Sequence, residues 1–129
     1  MQSLLVPISV GELIDKITIL RIKQSKASDP QKLANIEHEL KELETTWDQA
    51  REPNTDIKDL TLQLAKVNQA LWEIEDDIRA KEACNEFDDK FIALARSVYQ
   101  QNDLRAALKK EINTKTGSTL VEEKLYQEY

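Results

Sequence analysis

From Ile57 to Ile78 the chain places an apolar residue at every third or fourth position: Ile57, Leu60, Leu64, Val67, Leu71, Ile74 and Ile78. The steps run 3, 4, 3, 4, 3, 4. Such an unbroken heptad seam predicts one long helix over about residues 56–84. A second row, Leu33, Ile36, Leu40, Leu43, Trp47 and Ala50, predicts a helix over about 30–51. Asp29-Pro30 opens it as N-cap and first helical residue, and Pro53 closes it. Two heptad helices joined by a short loop read as an antiparallel hairpin. Upstream, Ser9-Val10-Gly11-Glu12 has the form of a capping box. The helix it starts, about 9–26, carries Leu13, Ile14, Ile17, Ile19, Leu20 and Ile22. That apolar side is wider than a seam, which predicts a central helix with neighbours on more than one side. Downstream, Phe91, Leu94 or Ala95, Val98, Leu104, Leu108 and Ile112 mark a helix over about 88–115 that Gly117 would close. Gln100-Gln101-Asn102-Asp103 interrupts its apolar row, so a kink, a break or a polar patch is expected there. Thr119-Leu120-Val121-Glu122 would cap a last short helix ending near Tyr129.

The pattern gives an all-α, bundle-like fold in a single domain, residues 1–129. Composition agrees. Only 2 Gly and 3 Pro occur in 129 residues, too few for the many turns of a sheet protein. The charge is −6, from 24 acidic and 18 basic residues. That disfavours nonspecific nucleic-acid binding, which needs a basic surface. Cys84 is the only cysteine, so an intrachain disulfide is impossible and a reducing, cytoplasmic setting is expected. The N-terminal residues have no basic region and only the short apolar run Leu4-Leu5-Val6, unlike a signal peptide. No run approaches the ~20 apolar residues of a membrane span.

Four polar groupings are candidates for chemistry. The first lies beside the long seam: Asn68, Trp72, Glu75, Arg79 and Glu82 step 4, 3, 4, 3. There Arg79 would grip an anion and Glu75 would orient it. Alternatively, Glu75 and Arg79 form an ordinary i,i+4 pair worth ~0.3–0.5 kcal/mol, and Trp72 covers the core's edge. The second is the acids Glu39, Glu42, Glu73 and Asp76. Their spacing is similar to that of helical nucleotide pyrophosphohydrolases, whose carboxylates hold Mg²⁺. In the heptads, however, Glu42, Glu73 and Asp76 fall on solvent-facing positions, so no metal site is expected. The third is Arg96, Tyr99, Asn102, Asp103 and Arg105. Asn102 and Arg105 continue the row of Val98 into positions where apolar residues belong. A polar residue there destabilises unless satisfied. It would fix helix register, or bind a small anion. The fourth is Asp15, Lys16, Arg21 and Lys23, which read as solvated charges framing the first helix. Ile14-Asp15 with Arg21 is loosely similar to helical chorismate mutases, where cations stabilise a dianionic transition state. His38 falls on an exposed heptad position, Cys84 has no activating neighbour, and Lys115-Thr116-Gly117 reads as a helix end.

Several blocks together resemble a known family. They are Pro7-Ile8-Ser9-Val10-Gly11-Glu12-Leu13-Ile14-Asp15-Lys16-Ile17-Thr18-Ile19-Leu20, Leu71-Trp72-Glu73-Ile74-Glu75-Asp76, Leu94-Ala95-Arg96-Ser97-Val98-Tyr99 with Asn102-Asp103, and Gly117-Ser118 leading to Val121-Glu122-Glu123-Lys124. The family consists of short bacterial and phage proteins catalogued as a domain of unknown function. The resemblance spans nearly the whole chain. It implies a small cytoplasmic helical protein and supplies no catalytic residues.

Two functions are expected from this reading. One is an interaction or assembly protein that self-associates, a dimer being favoured, or binds another protein. A helix of about 40 Å overhangs a small bundle, and a second copy would cover the overhang. The other is a small enzyme or binding module whose Arg79, Glu75, Arg96, Asn102 and Arg105 line a pocket for a phosphorylated or carboxylate ligand. No cofactor, nucleic acid or membrane partner is expected in either case.

Overall fold

The computed structural model describes residues 1–129 as four helices with no strand: α1 (Val10–Lys26), α2 (Pro30–Ala50), α3 (Lys58–Ala83) and α4 (Asp89–Thr116). Local chemistry explains the boundaries. The Ser9 hydroxyl accepts from the Glu12 amide at 3.1 Å and starts α1. The Glu12 carboxylate does not complete the capping box, because Lys109 of α4 draws it away at 2.7 Å. Asp29 caps α2 by accepting from the amides of Gln31 and Lys32, with Pro30 as the first helical residue. Asp88 caps α4 by accepting from the Phe91 amide. Gly117 ends α4 in the left-handed conformation at φ 67°, which an L side chain would resist.

The packing centres on α1. It contacts α2, α3 and α4, and α3 also packs along α4. Four of the eight core residues lie on it, Leu13, Ile14, Ile17 and Leu20; the others are Leu40, Ile57, Leu64 and Ile112. The wide apolar side of the first helix therefore does what its breadth predicts. The expected α2–α3 hairpin, by contrast, does not form. No close backbone approach joins α2 to α3; α2 lies on α1, and the long antiparallel pair is α3 with α4. A heptad stripe states which face is buried but not against what. Here the broad face of α1 takes the stripe of α2, and residues 51–57 carry the chain on to α3.

Two further expectations resolve. Helix α4 runs unbroken through Gln100–Asp103, so the interruption is a polar patch within one helix. Residues 118–129 form no helix. The Ser118 hydroxyl instead donates to the Leu120 carbonyl at 2.7 Å and accepts from the Val10 amide at 3.2 Å. The tail thereby satisfies a free amide at the start of α1 rather than beginning a helix of its own.

The helices differ in length. With 17 residues α1 spans about 25 Å, whereas α3 with 26 and α4 with 28 span roughly 40 Å. The α3–α4 pair therefore projects beyond the end of α1. Asn68 is the last buried residue of α3, and Lys109 the first of α4. Between them Leu71, Ile74, Ile78, Phe91, Leu94 and Val98 are only half-buried, and Phe87 and Ile92 are exposed.

Candidate functional site

Where α1, α3 and α4 meet, each contributes polar side chains to the interior. Gly11, Asp15, Thr18 and Ile22 step 4, 3, 4 along α1 and all four are buried. Asp15 is 1% exposed. Its carboxylate accepts from Arg105 Nε at 2.9 Å, from Arg105 Nη2 in the second arm of a bidentate pair, and from Asn68 Nδ2 at 2.9 Å. Asn68 Nδ2 also donates to the Thr18 hydroxyl at 2.9 Å. That hydroxyl donates in turn to the Asp15 carbonyl at 2.8 Å. Asn102 lies beside the outer edge of the guanidinium, its Oδ1 3.5 Å from Arg105 Nη1. No buried side-chain nitrogen or oxygen lacks a partner.

Burial pushes the Asp15 carboxyl upward. The hydrogen bonds from Arg105 and Asn68, with the positive charges of Arg105 and Lys109, outweigh it and hold the group below the ordinary aspartate range. Asp15 is therefore an anion, which its arginine partner requires.

A second polar layer lies one turn further along. Lys109 is buried, with its ammonium 2.7 Å from Glu12 and 3.4 Å from Glu122 of the tail. Beside it, Asn113 Oδ1 accepts from the Gly11 amide at 2.6 Å. The tail then crosses the outer side of α4. Tyr129 donates to Asp103, and its ring packs on Tyr99 with centroids 4.6 Å apart. Beneath this tail is an open cleft of about 1060 Å³, lined by Tyr99, Asn102, Arg105, Lys109, Lys124 and Tyr126 among others.

The candidates read from sequence separate into groups. Asn102 and Arg105 do come together, with Asn68 from the first grouping and Asp15 from the fourth. Glu75 and Arg79 form an i,i+4 pair at 3.7 Å on an exposed face. Arg96 is exposed and donates to its own-helix neighbour Tyr99 at 3.4 Å. No hydrogen bond or ion pair joins Glu75, Arg79 or Arg96 to Asn102 or Arg105. Trp72 is half-buried under the Lys26 ammonium, 6.0 Å from its ring centre. Glu39, Glu42, Glu73 and Asp76 stay on exposed helix faces. No group of three His, Cys, Asp or Glu side chains is placed to hold a metal ion. Lys16 and Arg21 are exposed and pair with Glu12 and Glu44, and Lys23 is exposed. His38 and Cys84 are exposed.

Thr18, Lys109, Asn113 and Ser118 belong to these polar layers without being among the candidates legible in the sequence. Asp15, expected among the solvated charges of α1, is buried instead. The 4, 3, 4 row from Gly11 to Ile22 was the available signal, because a seam that mixes glycine, aspartate and threonine with isoleucine marks a buried polar stripe.

The chain belongs to a family described as "Family of unknown function (DUF6165)", whose profile matches residues 4–129. No curated protein matches the chain. No solved structure matches it either. No helix is long and apolar enough to cross a membrane.

Proposed function

We propose that this protein is a helical interaction and assembly protein whose α3–α4 overhang docks against a second helical surface, in the first instance a second copy of the chain. The observation that supports the reading is the overhang itself. Between Asn68 and Lys109 neither helix has a buried residue, although the seam residues are apolar and Phe87 and Ile92 are 54% and 53% exposed. An apolar pair of helices left half-covered gains stability from burial against another surface, at about 25 cal/mol per Å² removed from water. Light scattering over a range of protein concentrations is expected to give a dimer mass that falls towards the monomer only on dilution. A monomer mass at every concentration would sink self-association.

A second reading rests on the cleft. Arg105 is pre-oriented by Asp15, and its Nη1 edge lies beside Asn102, both residues lining that cleft. A guanidinium so held would take a small phosphate or carboxylate group, without Arg79 or Arg96. Titration calorimetry with pyrophosphate separates the readings. Saturable heat that Arg105→Lys abolishes supports a binding module, and no heat removes it.

A further inference from the structure

The overhang is also where the protein keeps its negative charge. Residues 73–90 carry eight acids against three bases, nearly the whole of the −6. All eight, Glu73 to Asp89, are exposed. The ion pairs of this end are internal, Glu75–Arg79 and Lys81 with Glu86 and Asp88. Glu73, Asp76, Asp77, Glu82 and Asp89 have no cationic partner. The opposite charge gathers at the corner where α1 passes into α2. Residues 21–32 hold four bases and one acid, all four bases exposed. Lys23, Lys26 and Lys32 have no carboxylate partner, and no ion pair links this corner to the acidic end within one molecule.

Taking the self-association above as its basis, we propose that two copies pair antiparallel about a two-fold axis, each laying its acidic α3–α4 end on the basic α1–α2 corner of the other. Like-charged ends repel, so a contact of two acidic ends is disfavoured. A two-fold contact instead uses each surface once per copy, satisfies both, and closes without further growth. The corner lies at the foot of the overhang, as the position of Lys26 over Trp72 marks. Two overhangs lying side by side therefore bring each end to the other's corner. Phe87 and Ile92, exposed on the acidic end, supply apolar area beside the charges.

The test is a charge exchange read by sedimentation velocity. One variant reverses the end, Glu82→Lys with Asp89→Lys, and the other reverses the corner, Lys23→Glu with Lys26→Glu. All four residues are exposed, and circular dichroism checks that folding is intact. At low salt each variant alone is expected to dimerise at least about tenfold more weakly than the wild type, with the wild-type dimer itself weakening in high salt. Mixed in equal amounts, the two variants are expected to form a heterodimer, because in it both contacts again join opposite charges. Variants that dimerise like the wild type overturn this geometry and leave self-association standing. Variants that fail to pair on mixing also overturn it. A wild-type protein that is monomeric in low salt overturns both.

Discussion

Asp15→Ala is expected to lower the free energy of unfolding by about 3 kcal/mol, the low end of the range for removing one partner of a buried ion pair. The carboxylate is 1% exposed and receives three hydrogen bonds. Removing it leaves the Arg105 guanidinium facing the interior without its counter-charge, and Asn68 Nδ2 with Thr18 alone. The low end applies because the Arg105 side chain is 30% exposed and regains some hydration by turning towards the cleft. Urea unfolding would report the loss as a lower midpoint at unchanged slope. A companion variant tells a stranded charge from a valuable network. Replacing Asp15, Asn68 and Arg105 together by leucine, leucine and methionine is expected to recover most of the stability, since an apolar layer of similar volume matches a buried ion pair. A triple variant as unstable as Asp15→Ala would mean that the hydrogen bonds themselves hold the three helices together.

The same carboxylate sets a pH dependence of known sign. Its ionisation is easier in the folded protein than in the unfolded chain, despite burial. Its contribution is therefore complete above the unfolded value of about 3.9 and is lost as pH falls through the lower folded value. The stability gap between wild type and Asp15→Ala should stay constant from neutral pH to about pH 5 and narrow below about pH 4. A gap that widened on acidification would contradict an ionised Asp15.

These residues also mark how far the sequence could be read. Helix ends were legible because Ser9, Asp29 and Gly117 act within a turn of their own positions. The centrality of α1 was legible from its breadth. The partner of α2 was not, since a stripe such as Leu33 to Trp47 fits any apolar face of similar length. Asn102 and Arg105 stood out as polar residues in an apolar row, and they do enter the interior interface. Asp15 and Lys109 did not stand out, because a lone acid or base beside a stripe is usually a solvated charge. Only the level at which three helices meet shows that Asp15, Asn68 and Arg105 form one layer, and that level depends on long-range packing. The tail was misread for a similar reason. The capping pattern at Thr119–Glu122 is local, whereas the bond from the Val10 amide to Ser118 joins opposite ends of the chain.

Gly11→Ala tests that long-range packing most directly, and it is expected to destabilise by about 2 kcal/mol. Gly11 stands in the first turn of α1 against the backbone of α4. A Cβ there would lie 2.5 Å from the Lys109 carbonyl oxygen and 3.0 Å from Asn113 Oδ1. The closer obstacle is backbone and cannot rotate aside, so α1 must shift outward. That shift stretches the 2.6 Å bond from the Gly11 amide to Asn113 and disturbs the Glu12–Lys109 pair. Overpacking of this kind costs about 1–3 kcal/mol, and a weakened buried hydrogen bond adds about 1. Alanine's better helix propensity offsets at most ~1 kcal/mol, and less in a first turn. Gly117→Ala provides the contrast. It meets nothing within 4 Å but must hold φ at +67°, so its cost of about 1 kcal/mol is local strain. Urea unfolding measures both losses. Hydrogen exchange distinguishes them, because only Gly11→Ala should speed exchange at the amides of Val10 and Gly11, whose acceptors are Ser118 and Asn113 on the far side of the contact. If Gly11→Ala proved as stable as the wild type, with those amides still protected, α1 and α4 would not pack as closely as the polar layers between them require.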